Sequence, residues 1–136
     1  MAKTITTAND TLNYILRAVD PAWRANAVRY IALHTSDPGS SGNQTTNEAN
    51  YGSYARVQVT ASSAFSSASG GSSSNAVIIT FPQCTSGSNT ITHISIGTDQ
   101  TGAGQILYSG ILNNSLAVSN LIQPQFSIGA LTINEI

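Results

Sequence analysis

Two histidines, six acids, five basic residues and one cysteine are nearly all the reactive chemistry that 136 residues hold. A serine nucleophile needs a base within reach and an acid to orient that base. His34 with Asp37 is the only local base–acid pair, and no G-x-S-x-G elbow accompanies it. The string Gly39-Ser40-Ser41-Gly42 has the wrong spacing for one. His34 and His93 each lie among alternating apolar neighbours and read as hydrogen-bonded strand residues. No catalytic residue is assigned, and the chain is expected not to be an enzyme.

The metal and phosphate readings fare no better. Asp37, Glu48 and Asp99 are loop acids without the D-x-[DN]-x-[DN]-G spacing of a calcium loop, so they read as turn formers. Cys84 stands alone, which excludes an intrachain disulfide and a cysteine-based zinc site. Residues 97–104 (GTDQTGAG) lack the G-K-[ST] ending of a phosphate loop and open onto no helix. No metal and no cofactor is expected. The arginines, Arg17, Arg24, Arg29 and Arg56, are expected to pair in part with Asp20, Asp37 or Glu48.

Composition narrows the class further. Charged residues make up 8% of the chain, against about 25% in ordinary soluble domains. Ser and Thr number 34, so hydroxyls and amides carry the polarity. Leu, Ile, Val and Phe number 31, enough for a core, and a net charge of -1 argues against disorder. Five basic residues neutralise few phosphates, which argues against nucleic acid as a partner. No apolar run approaches a spanning length, so no membrane is expected either. The opening residues MAKTITT have no apolar centre, which predicts synthesis and folding in a cytoplasm.

The elements that would position these residues follow from periodicity. The spacing predicts one helix over 8–20, capped by Asn9 or Asp10 and stopped by Asp20-Pro21. Its Leu12, Ile15, Leu16 and Val19 form an apolar stripe at i, i+3, i+4, i+7. Too short to stand alone, that stripe must pack on its own sheet, the plainer reading, or on a neighbouring subunit. With Trp23 and Arg24, which read equally as a common pairing of interface anchors or as a tryptophan capping the end of a sandwich, the four residues make the candidate interface. Thereafter the period is two. Strands are predicted over 28–35, 54–60, 76–81, 90–96, 105–112, 116–118, 125–128 and 131–133, with long loops over 36–53 and 61–75. The first loop reads as exposed and the Ser/Ala/Gly-rich second as mobile. No second helix separates the strands, so the economical fold is mainly β. It is a single domain over 1–136, an antiparallel β-sandwich or jelly roll with one short N-terminal helix. Sheet edges are ordinarily protected by lysine or proline, and no basic residue follows Arg56. Edges without charge argue for partners. Tyr51 and Tyr54, beside Gly52, form a conceivable sugar-binding platform, though they more simply anchor the loop.

Seven blocks in series carry a resemblance. They are LNYILRAV in the helix, IALHTSDPG at 31–39, NEANYGSYARV at 47–57, NAVIITFP at 75–82, ITHISIG at 91–97, GQILYSGIL at 104–112 and PQFSIGALTI at 124–133. In that order the chain resembles a family of small tailed-bacteriophage virion proteins, often labelled tail fibre or hypothetical structural proteins. It departs from the pattern in the Ser-rich 61–75 stretch and at Gly97-Thr98, where an apolar or aromatic residue is expected. The resemblance implies a virion component without an active site. Shortness, and the lack of sustained heptads or internal repeats, favour a capsid cement or decoration protein over a fibre. That reading implies binding to the assembled major capsid protein at the capsid surface, as a homo-oligomer, dimer before trimer. A tail or fibre structural subunit is the alternative, and a carbohydrate-binding adhesin using Tyr51, Tyr54 or Trp23 a second.

Overall fold

The computed structural model of this chain describes residues 1–135. It is mainly β, with antiparallel pairing in every ladder and one short N-terminal helix. The helix α1 spans Ile5–Arg17. A 3-10 turn at Ala22–Ala25 leads into β1, Val28–His34. Then come β2 (Val57–Thr60), a single turn of helix α2 (Ala61–Ala64), β3 (Ser72–Ser74) and β4 (Ile79–Thr80). The remaining strands are β5 (Asn89–Gly97), β6 (Ile106–Val118), β7 (Gln125–Phe126) and β8 (Thr132–Asn134).

Four strands make the main sheet, in the order β2-β1-β5-β6. β1 lies inside it because Ile31, Ala32, Leu33 and His34 are all buried, the mark of a strand covered on both faces. Two smaller ladders, β3–β8 and β4–β7, feed Ile79, Phe126 and Ile133 into the same apolar cluster as Ile31, Leu33, Ile91 and Ile94. A sandwich with a fragmentary second layer is compatible with this arrangement. Aromatic rings run through the cluster, Tyr51 edge-on to Tyr54, Tyr54 stacked over Phe81, and Phe81 edge-on to Phe126.

The helix lies three residues nearer the N-terminus than the 8–20 its sequence suggests. Thr4 is the cap, its hydroxyl accepting from the Thr7 N–H at 3.4 Å. Asp10 is not free to cap, because its carboxylate accepts from Trp23 Nε1 at 3.0 Å and Gln105 Nε2 at 2.9 Å. Termination comes before Pro21: Ala18 takes the left-handed conformation, φ 53°, and its N–H reaches the Asn13 and Tyr14 carbonyls.

Both long loops are more built than they read. Within 36–53, Gln44, Ala49 and Tyr51 are buried, so the segment is not simply exposed. Gln44 holds it down: its N–H donates to the Gly104 carbonyl and its Oε1 accepts from the Asp99 N–H, both at 2.9 Å. A Cβ at Gly97 or Gly104 would overlap the Gln44 side chain, which explains why glycine stands where a larger residue is expected. Within 61–75, α2 and β3 replace the expected irregular loop. Asn75 anchors its end, buried, donating to the Val77 and Ser127 carbonyls and accepting from the Leu131 N–H, each at 2.9 Å.

Candidate interaction site

The helix docks on the domain by its polar side. Thr4 and Thr7 are buried, and their hydroxyls donate to the Ile106 carbonyl at 2.8 and 2.7 Å. Gln105 Nε2 donates to Thr7 Oγ1 as well as to Asp10, at 2.9 Å each. Trp23 Nε1 closes the same network from the other end of the helix. Hydrogen bonds to satisfied partners are individually modest, about 0.5–1.5 kcal/mol, but here several converge on the first two turns of the helix.

The apolar stripe therefore faces away from the domain. Leu12 is 54% exposed, Ile15 68%, Leu16 74% and Val19 48%. Ile5 adds to the same open surface. Packing of this stripe on the chain's own sheet, the plainer expectation, does not occur. The reason is that Thr4, Thr7 and Asp10 satisfy strand and side-chain polar groups that an apolar face would have left unpaired. Val19 lies two residues past the end of α1.

The other two candidate residues are placed differently. Trp23 is half-buried and tied to Asp10, so it holds the helix down as well as showing one side of its ring. Arg24 is exposed, with its guanidinium 5.4 Å above the Tyr14 ring and 2.8 Å from Asp20. An exposed i,i+4 pair of this kind contributes little to stability. The signal that sequence reading misses is the threonine spacing, Thr4, Thr7 and Thr11, which marks the docked face as surely as the leucines mark the free one.

The remaining polar candidates have internal duties. His34 is buried, with Nδ1 2.8 Å from the Thr46 carbonyl and Nε2 2.8 Å from Ser95 Oγ, so neither ring nitrogen is left for Asp37. Burial holds its pKa below the ordinary histidine value, and the ring is neutral near pH 7. Asp37 instead accepts from the Gly39 N–H at 2.9 Å, a turn contact. Arg56 makes a buried fork to Glu48, 2.6 and 2.9 Å, and its remaining N–H groups reach the Asp99 and Gly102 carbonyls. Among the described residues, no three or more His, Cys, Asp or Glu side chains are placed to hold a metal ion. Nor, among the described residues, is any helix long and apolar enough to cross a membrane.

Tyr51 and Tyr54 are not a sugar platform. Tyr51 is buried and donates to the Pro82 carbonyl at 2.8 Å. Tyr54 donates to Glu48 Oε2 at 2.9 Å and accepts from the Leu33 N–H at 3.1 Å. Burial pushes the Tyr51 phenol up to about 12 and raises that of Tyr54 beyond any titration of interest.

Two surface grooves among the described residues adjoin these elements. One, of about 600 Å³, opens beside α1 over Trp23, Phe65, Leu107, Tyr108 and Ile133 and is largely apolar. The other, of about 940 Å³, follows an irregularity in β6. There Ile91 pairs with Leu116 but His93 with Ile111, so β6 carries extra residues opposite Thr92. Asn113, Asn114 and Gln125 give that groove an amide character.

Among known proteins, the family model described as Podophage GP4 fiber I protein gp80 matches residues 2–134 of the chain. No curated protein matches it.

Proposed function

We propose that this chain, which belongs to the podophage GP4 fiber I protein gp80 family and is thus a bacteriophage virion structural protein, serves as a fibre subunit whose work is assembly. The observation that carries the reading is the outward apolar face of α1. A folded subunit that turns Leu12, Ile15 and Leu16 to water has surface to bury against another chain. Low charge supports the same reading. With 8% charged residues, there is little like-charge repulsion to oppose close contact between copies.

The family description favours the fibre subunit, the alternative drawn from the sequence, over the capsid cement. Cementing would require binding to the assembled major capsid protein, which it would stabilise by mass action. The two placements differ in stoichiometry. Quantitative mass spectrometry of purified virions, against the major capsid protein, separates them. A small copy number in a multiple of the tail's symmetry is the expected result. Near-equimolar copies with the shell protein would overturn the fibre reading and restore the cement.

A further inference from the structure

We propose that the larger groove, beside the irregularity in β6, is a carbohydrate site, and that its ligand is a neutral glycan held by the amides of Asn113, Asn114 and Gln125. The inference goes beyond the fibre-subunit reading and does not rest on it.

The strand itself points to the groove. In a regular strand, successive side chains face opposite sides of the sheet. Here the residues from Ile111 through Leu116, without a gap, all line one groove of about 940 Å³. The cause lies in the pairing. Ile91 faces Leu116 and His93 faces Ile111, so Leu112, Asn113, Asn114 and Ser115 stand together opposite Thr92. Extra residues interrupt a ladder, and they recur where a strand must re-aim side chains. This bulge brings two neighbouring amides to one side, where a plain ladder would part them.

The chemistry of the lining selects the ligand. Asn113, Asn114 and Gln125 are exposed, and each amide offers a carbonyl acceptor beside an NH₂ donor. Elsewhere the amides of Asn75, Asn89 and Gln105 are engaged within the fold. Thr132 adds an exposed hydroxyl to the groove. Asp37 adds a carboxylate, of which Oδ1 accepts from the Gly39 N–H at 2.9 Å. The apolar part of the lining includes buried Ile94 and Leu131 and half-buried Phe126. Donors and acceptors set around an apolar patch match a ring with hydroxyls on its rim and C–H groups on its face. The volume is at the upper end of the roughly 300–1,000 Å³ of small-molecule sites, so more than one sugar ring has room.

Other ligands fit less well. Among the described residues, Asp37 lines the groove and no Lys or Arg does. A phosphate, a nucleic acid or an acidic sugar would meet that carboxylate without a guanidinium or ammonium to pair with. An added peptide strand needs a row of free backbone groups along a sheet edge. β6 is an edge strand, but its edge does not present such a row. Ala2 engages both backbone groups of Ser109, at 2.7 and 2.8 Å, and the bulge breaks the row beyond it.

The experiment presents purified full chain to a printed array of neutral and acidic glycans, then titrates the strongest neutral ligand by calorimetry. Asn113→Ala with Asn114→Ala removes the bulge amides, and Gln125→Ala, made separately, removes the third. All three positions are exposed and none has a positive φ, so alanine suits the backbone. Thermal unfolding checks that both variants fold. The wild type is expected to bind a neutral glycan. The double variant is expected to bind it at least about tenfold more weakly, and Gln125→Ala at least about threefold more weakly. An array with no neutral ligand would overturn the proposal, as would binding to acidic glycans alone. Full affinity in either variant would overturn the arrangement of the site. An alternating Thr-Val peptide that binds at these residues where no glycan does would reassign the groove to a protein segment. Copy number in the virion moves none of these outcomes, so the glycan site and the fibre placement fail or stand separately.

Discussion

If α1 is held by hydroxyls and not by its leucines, the usual ranking of helix substitutions inverts. Thr7→Val keeps the shape and nearly the helix propensity of the side chain while deleting its hydroxyl. The deletion removes the 2.7 Å bond to the Ile106 carbonyl and the 2.9 Å bond from Gln105 Nε2. At about 0.5–1.5 kcal/mol for each bond, the expected loss is roughly 1–3 kcal/mol. Leu16→Gln, by contrast, alters a side chain 74% exposed in the subunit, and its expected effect stays within about 0.5 kcal/mol. In a conventional amphipathic helix a buried leucine at that position would cost several kcal/mol. Urea unfolding followed by tryptophan fluorescence is the assay. Trp23 is the sole tryptophan and bonds Asp10 of α1, so its emission reports undocking directly. Protein is kept dilute enough to exclude association. A Leu16→Gln loss above about 1.5 kcal/mol, with Thr7→Val neutral, would refute the docking geometry.

Three further outcomes are expected. Ala18→Gly relieves a left-handed residue at φ 53° and should stabilise the chain by about 1 kcal/mol, read as a higher urea midpoint at constant slope. Gly97→Ala drives a Cβ into the buried Gln44 side chain and should cost about 1–3 kcal/mol or more, seen as a lowered thermal midpoint. His34, whose folded pKa is depressed by burial, binds its proton more readily when unfolded. Its contribution is complete above about pH 6.5 and is lost as pH falls from there through the folded pKa, by at most about 1.4 kcal/mol per pH unit. Stability measured from pH 8 to pH 5 should therefore decline for the wild type, and His34→Asn should flatten that decline while lowering stability overall.

The strands were legible because alternation survives translation into structure. Ile31 to Leu33, Ile91 to Ile96 and Ile106 to Leu112 all lie within strands of the main sheet. The helix was legible as an element, yet its orientation was not. Apolar periodicity marks the face that will be buried somewhere, and it is silent on whether the partner lies in the same chain. Thr4 and Thr7 became the docked face through a carbonyl about 100 residues away, which no local window contains. Distance in sequence also hid the fixing of the 36–53 segment. Gln44 is polar and reads as surface, but Gly97 and Gly104 leave the space it fills. Tyr51 and Tyr54 misled for a related reason. A tyrosine beside glycine in a loop fits a platform or an anchor equally, and the partners that decide are Pro82, Leu33 and Glu48.

The division of labour on α1, polar contacts inward and apolar contacts outward, gives its two faces opposite responses to temperature. Apolar burial weakens on cooling, because its driving force near room temperature is entropic. The hydroxyl and amide bonds that seat the helix on β6 do not share that dependence. Any partner held by that outward face should therefore loosen on chilling while the helix stays seated, and should rebind on rewarming without refolding of this chain. For a structural protein this keeps the surface open to a partner apart from the bonds that hold the fold together.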